Sequence, residues 1–177
     1  MKENQDYLKT ENQVVSEEEI KQYVLGLFYN SKHTSLIKNL VNFQAMNKYL
    51  VLAHDQEELK NLGNIVAKHK KIPFSEILDY YELHLKKALE NQPTIKKHTN
   101  VILHVFGHFS QKLEEHEKKI FLDLLQNYKE EKIPLGKLLA KIHPIIFRFD
   151  NMYLASQTYF LLYSNIESGV FSKIKTD

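Results

Sequence analysis

Three histidines, an asparagine and three lysines crowd one short stretch of this chain, P-T-I-K-K-H-T-N-V-I-L-H-V-F-G-H-F-S-Q-K-L from Pro93 to Leu113. Placed on a helix at about 100° per residue, the stretch divides into two arcs. Ile95, Val101, Ile102, Val105, Phe106, Phe109 and Leu113 share one. Lys97, Asn100, His104, His108 and Gln111 share the other, and His98 alone falls inside the apolar arc. Amide, ammonium and imidazole donors on one face suit a phosphate or an unstacked base. Lys97, Asn100 and His104 form the centre of that candidate group, with Lys96 adding charge from the side.

Other chemistries are open to the same residues. His104 and His108 stand one helical turn apart, so both imidazoles could reach one ion. A zinc site needs a further ligand, and no H-E-x-x-H pattern supplies it, so no metal is expected. A histidine general base needs a nucleophile or carboxylate in reach, and only Asp55 or Asp150 could be brought there by the fold. His98 reads most simply as a core histidine, hydrogen-bonded through one ring nitrogen; the functional version has it lining a pocket. His54 ends its helix, where the carbonyl end of the dipole favours an imidazolium; a site role is the alternative. Lys48 is either a solvated surface residue or a ligand contact. Tyr153 and Tyr159 could offer stacking platforms. Six positions apart, they cannot share one helix face, so at least one belongs to the core.

Helices must position these groups. Helical periodicity runs through the chain and no strand alternation stands out; Gly 5 and Pro 4 in 177 residues leave little for long loops. Ser16 with Glu19 is a capping box opening a helix to about Tyr29, with a break at Asn30 to Lys32. A second helix is expected from Ser35 to Ala53, and a third capped by Asp55 with Glu58. Ser75 is expected to cap the fourth, and Pro93 to sit in the first turn of the fifth. The sixth covers Glu114 to Tyr128, with Ile120, Phe121, Leu124, Leu125 and Tyr128 as its buried stripe. Pro134 opens a seventh that Pro144 should end or kink. An aromatic last helix runs from Met152 to Tyr163. The expectation is a single-domain, all-α bundle of seven or eight helices. Residues 16–168 make the domain, 1–15 a flexible or weakly helical tail, and 169–177 a loose one.

Cysteine is absent, which removes disulfides, thiolate-held iron–sulfur clusters and a Cys nucleophile. Met1 to Thr10 holds no apolar signal core, and no apolar run reaches membrane-spanning length, so a cytoplasmic protein off the membrane is expected. The net charge of +2 hides an uneven distribution. Residues 1–22 carry three Lys against six acids, residues 32–112 twelve against seven, and residues 113–131 three against six. The basic middle is either a solvated helix surface or an anion-binding face. Only one of the 24 basic residues is Arg, which disfavours bidentate base reading and sequence-specific DNA recognition.

Three stretches carry a family resemblance. They are F-Q-A-M-N-K-Y-L-V-L-A-H (Phe43 to His54, with Leu62 and Gly63 following), K-K-H-T-N-V-I-L-H-V-F-G-H-F (Lys96 to Phe109), and I-P-L at Ile133 with Y-L-A-S-Q-T-Y from Tyr153. On these, the segment from Phe43 to about Tyr159 resembles the YbgA-like family, a bacterial and archaeal domain family. The family pattern has a histidine where Gln44 stands, a basic residue where Met46 stands, and a Lys-His pair near His143 and Pro144. That domain is often fused behind an iron–sulfur desulfidase acting on thiolated uracil or on 4-thiouridine in transfer RNA, where it is taken to supply RNA binding. The resemblance implies a stand-alone accessory module for transfer RNA or another structured RNA, with no cofactor or redox chemistry of its own and a desulfidase as a partner in trans. The candidate ligand-binding set is Lys48, His54, Lys96, Lys97, His98, Asn100, His104, His108, Tyr153 and Gln157. The alternatives are a hydrolase-like enzyme using a pocket on the histidine helix, and a helical protein-interaction adaptor, as a homodimer, with an apolar patch on the aromatic last helix.

Overall fold

The computed structural model describes residues 15–149 and 151–164. Both expected tails apart from Val15, the end of the expected domain from 165 to 168, and the candidate base Asp150 lie outside those residues. The described chain is all α-helical, with no strand: α1 (Glu17–His33), α2 (Ile37–His54), α3 (Gln56–Ala67), α4 (Phe74–Glu90), α5 (Ile95–Gly107), α6 (Glu115–Lys129), α7 (Leu135–Arg148), α8 (Met152–Ala155) and α9 (Thr158–Tyr163). Among those residues no helix is long and apolar enough to cross a membrane.

α2 is the axis of the molecule, packing against α1, α3, α4, α5 and α9. Its C-terminal residues, Tyr49 to His54, are buried without interruption. A helix buried all round is apolar all round, and Y-L-V-L-A-H meets that requirement until its last residue. Phe28 of α1 stacks on Tyr81 of α4 at 5.6 Å, with the Phe43 edge against both rings. A second aromatic group, Phe106 stacked on Phe121 at 4.6 Å with Phe109 edge-on, joins α5 to α6.

Local signals set most helix starts. Ser16 and Glu19 form the capping box on α1. Asp55 caps α3 by accepting from the Glu58 amide at 2.9 Å, so a single residue separates α2 from α3. Tertiary contacts shift other boundaries. α1 continues through Asn30 to His33 because Lys32 reaches Glu82 and Asp79 of α4 at 2.7 and 3.5 Å; the turn falls at Ser35, with φ 52°. Pro73, not Ser75, precedes α4 as its cap residue. Thr94 caps α5 by accepting from the Lys97 amide at 3.2 Å, which puts Pro93 outside the helix. α7 runs through Pro144 to Arg148. Pro144 and Ala140 are both exposed, so water can take the carbonyl the proline leaves unpaired. Ile120 stands 56% exposed, outside the stripe that Phe121, Leu125 and Tyr128 bury.

The expected last helix is two. Gln157 has extended backbone (φ −67°, ψ 126°) and divides α8 from α9. Its side-chain amide donates to Ala45 O of α2 at 2.7 Å, a contact that an unbroken helix would not aim. α9 is packed into the core, with Tyr159, Phe160, Leu162 and Tyr163 all buried. Of the apolar patch expected on the last helix, the α9 part is interior surface, while Met152 and Tyr153 of α8 stand at the surface, 71% and 36% exposed.

Candidate functional site

The candidate residues fall into two groups, one closed and one open. The closed group surrounds the end of α2. His54 is 1% exposed, and Nδ1 lies 2.7 Å from Asn91 O. A carbonyl only accepts, so Nδ1 carries the proton and Nε2 is the lone-pair nitrogen. Nε2 faces the Tyr163 hydroxyl at 3.4 Å, and that hydroxyl donates to Glu17 at 2.9 Å. Beside it, His98 Nδ1 meets the hydroxyl of fully buried Tyr159 at 2.8 Å, and the His98 ring packs on Tyr163 with centroids 4.9 Å apart. Burial pulls both His54 and His98 down to about 4; the Lys97 ammonium adds to it for His54, and the unfavourable charging of two adjacent imidazoles adds to it for His98. Burial likewise pushes the Glu17 carboxyl up. At neutral pH the two imidazoles are uncharged, hydrogen-bonded core groups. The core reading of His98 is the one the geometry matches.

Lys97 belongs to this group through its ammonium. Nζ donates to His54 O at 2.5 Å and to Gln92 O at 3.3 Å. The first is the carbonyl that ends α2 and the second lies in the α4–α5 connection, and a cation there also meets the negative end of the α2 dipole. Asn91 Nδ2 donates to Asp55 at 2.7 Å, closing the junction of α2, α3, α4 and α5. Asn100 is half-buried, with Nδ2 3.5 Å from Gln56. Lys97 and Asn100, the centre of the sequence-based group, are thus occupied by the fold, while Lys96 and His104 remain exposed.

The open group lies on the outer side of α2 where α5 ends and α8 crosses. His108 follows the last turn of α5 and is exposed; its Nε2 is 2.7 Å from the Tyr49 hydroxyl. Tyr153, 36% exposed, sets its ring 6.3 Å from Tyr49 and 6.0 Å from His108. Lys48 Nζ stands 5.8 Å over the Tyr49 ring. Burial lowers the His108 imidazole from its ordinary value, and Lys48 and His104 lower it further. Burial, with Tyr153 beside it, pushes the Tyr49 phenol up to about 12. The Tyr49 phenol thus keeps its proton and shares a hydrogen bond with the imidazole, whose tautomer sets which of the two donates. Beneath the surface Gln157, 1% exposed, donates to Ala45 O at 2.7 Å and to Tyr153 O at 3.3 Å, fixing the backbone that carries Tyr153.

The open group therefore unites Lys48, His104, His108 and Tyr153 over Gln157, and the closed group unites His54, His98 and Lys97. Tyr49, Tyr163, Glu17 and Asn91 were not singled out from sequence. Tyr49 adjoins Lys48 in the quoted stretch, the one signal that pointed to it. Tyr159 is core, so Tyr153 is the platform of the two. Among the described residues no group of three or more His, Asp or Glu is placed to hold a metal ion. A shallow cleft of about 550 Å³ lies between the end of α5 and α6, lined by Phe106, Leu122, Lys118 and Asp123 among others, and none of the candidate residues borders it.

The chain is 27% identical over 130 residues, 72% of this chain and 76% of the other, to "Uncharacterized protein YbgA" of Escherichia coli (strain K12). No solved structure matches it. Residues 48–164, which span both groups from Lys48 to Tyr163, match the family described as "Protein of unknown function (DUF1722)", and the chain belongs to that family.

Proposed function

We propose that this protein is an RNA-binding accessory module for transfer RNA or a similarly structured RNA, with no redox chemistry of its own. The observation that carries the reading is the open group: a lysine, two histidines and a half-open tyrosine ring converge at one surface, where the Lys48 ammonium acts on His108. Lys48 supplies a point charge for a phosphate, His104 and His108 supply imidazole donors, and Tyr153 supplies a ring for a base. Among the described residues no carboxylate acts on His108, so none of them orients it as a general base. That weighs for binding over hydrolysis. A desulfidase acting in trans is the partner such a module would serve.

The test is fluorescence anisotropy with labelled bulk transfer RNA at two salt concentrations. Binding should weaken steeply with salt. The double variant Lys48→Ala, Tyr153→Ala should lose about tenfold or more, one stacking contact alone being worth about 1–3 kcal/mol. Affinity no tighter than high micromolar at low salt, or an unchanged double variant, overturns the reading.

A further inference from the structure

The α3–α4 turn carries a second cationic surface. From Leu59 to Ser75 the chain holds Lys60, Lys68, His69, Lys70 and Lys71 and no acid. The turn is firmly built. The amides of Lys68 and His69 donate to Ile65 O and Val66 O at 3.1 and 3.2 Å, and those of Lys71 and Ile72 donate to Lys68 O at 2.8 and 3.2 Å. Ile72 and Phe74 are half-buried against the core, so the turn is pinned from inside. Its four basic side chains are all exposed. Among the described residues Lys68, Lys70 and Lys71 make no ion pair, whereas Lys86, Lys87, Lys118 and Lys132 each have a carboxylate within 4 Å.

Neighbouring elements reinforce the sign. Lys32 at the end of α1 reaches Asp79 near the start of α4, which puts the α1–α2 turn at the same end of the bundle. That turn adds exposed His33 and Lys38. The acids of α4 nearby are engaged: Asp79 with Lys32, and Glu82 with Lys32 and Lys86. Glu76 is the exposed exception. α3 starts at the closed end of α2 and runs back for twelve residues, about 18 Å, so the turn stands well away from that junction.

We infer that the Lys68–Lys71 turn is a second phosphate-contact surface, gripping the backbone of the same folded RNA that the Lys48–Tyr153 face engages. The inference rests on the proposed RNA binding. Lysines on a rigid, acid-free turn neutralise phosphates without reading sequence. A membrane surface fits less well, because the apolar side chains of the turn point into the core and leave nothing to enter the lipid boundary.

The experiment compares three proteins against labelled bulk transfer RNA from 50 to 300 mM salt: wild type, the turn variant Lys68→Ala, Lys70→Ala, Lys71→Ala, and a charge-matched variant Lys119→Ala, Lys129→Ala, Lys137→Ala. All six positions are exposed, and melting curves verify the fold. The turn variant should bind at least tenfold more weakly near 100 mM salt. Its log–log salt slope should flatten by about two, at roughly 0.7 to 0.9 per phosphate released. The matched variant should change less than threefold. Wild-type affinity and slope in the turn variant, with loss in Lys48→Ala, Tyr153→Ala, sinks this inference and leaves the proposed function standing. Equal loss in both triple variants also sinks it, since net charge would then explain the effect. Absence of wild-type binding sinks both readings. Turn-dependent co-sedimentation with phosphatidylserine vesicles, alongside unchanged RNA affinity, reassigns the turn to a lipid surface and overturns the inference.

Discussion

α5 and the residue that caps its end carry the histidines of two histidine–tyrosine pairs ten residues apart, and the pairs are nearly identical as hydrogen bonds. His98 meets Tyr159 at 2.8 Å, and His108 meets Tyr49 at 2.7 Å. Their surroundings differ. His98 is 7% exposed and Tyr159 is sealed, whereas His108 stands in solvent beside Lys48 and Tyr153. In the first pair the bond keeps two buried polar groups satisfied. In the second a buried tyrosine holds an exposed imidazole where a ligand can reach it. Residue type and bond length do not distinguish structure from site here; access to water does.

The comparison breaks most readily at His98. His98→Ala leaves a cavity and an unpaired Tyr159 hydroxyl, and should cost about 2–4 kcal/mol in urea unfolding. His108→Ala should cost about 1 kcal/mol or less, since the Tyr49 hydroxyl can turn to water. It should instead weaken RNA binding severalfold. Equal destabilisation by the two would erase the distinction.

Acid offers a second break. His54 and His98 sit at about 4 when folded against an ordinary 6.5, so the unfolded chain takes up more protons between those values. Their contribution is complete above pH 6.5 and drains away as pH falls towards 4, on the order of 2 kcal/mol per histidine by pH 5. Glu17, which faces His54 and is raised, works in the opposite direction, and its partial exposure keeps that effect small. Unfolding free energies at pH 7.5, 6 and 5 should fall accordingly. The fall should be clearly shallower in His98→Ala and only slightly so in His108→Ala, whose exposed imidazole is lowered less. A flat profile in the wild type would mean that the closed group is open to water.

Lys97 sharpens the contrast within the basic residues. Lys97→Met removes the donor to His54 O and Gln92 O and should cost about 1–2 kcal/mol, with little change in the salt slope of RNA binding. Lys48→Met should do the reverse. The smallest effect is expected from Tyr49→Phe, about 0.5–1 kcal/mol, read best as a shift of the His108 imidazole resonances. Tyr159→Phe should cost more, because it strands a buried ring nitrogen.

Much of the scaffold was legible in the chain. The capping box at Ser16, the Asp55 cap and the apolar arc of α5 are local patterns, and the structure contains them. Boundaries set by distant partners were not legible. The extension of α1 depends on α4, and the break at Gln157 depends on a carbonyl of α2, each remote in sequence. The candidate site divides along the same line. Periodicity placed His98 in the core because it lies on the apolar arc. It placed Lys97 and Asn100 on the polar arc, but could not tell that α2 ends and α3 begins beside them.

Composition and periodicity by themselves determined an all-helical chain without cysteine, rich in lysine, with one helix crowded by histidines. These depend on residue types and on spacing within a few turns, where 3.6-residue geometry is enough to decide which side chains are neighbours. Only the tertiary structure decided which polar groups are spent. The ends of α2, α3, α4 and α5 meet at one junction, and their unpaired carbonyls claim the Lys97 ammonium and the His54 ring. Lys48, His108 and Tyr153 lie where no such claim reaches them, so what they can bind was settled by the packing of helices far apart in the chain.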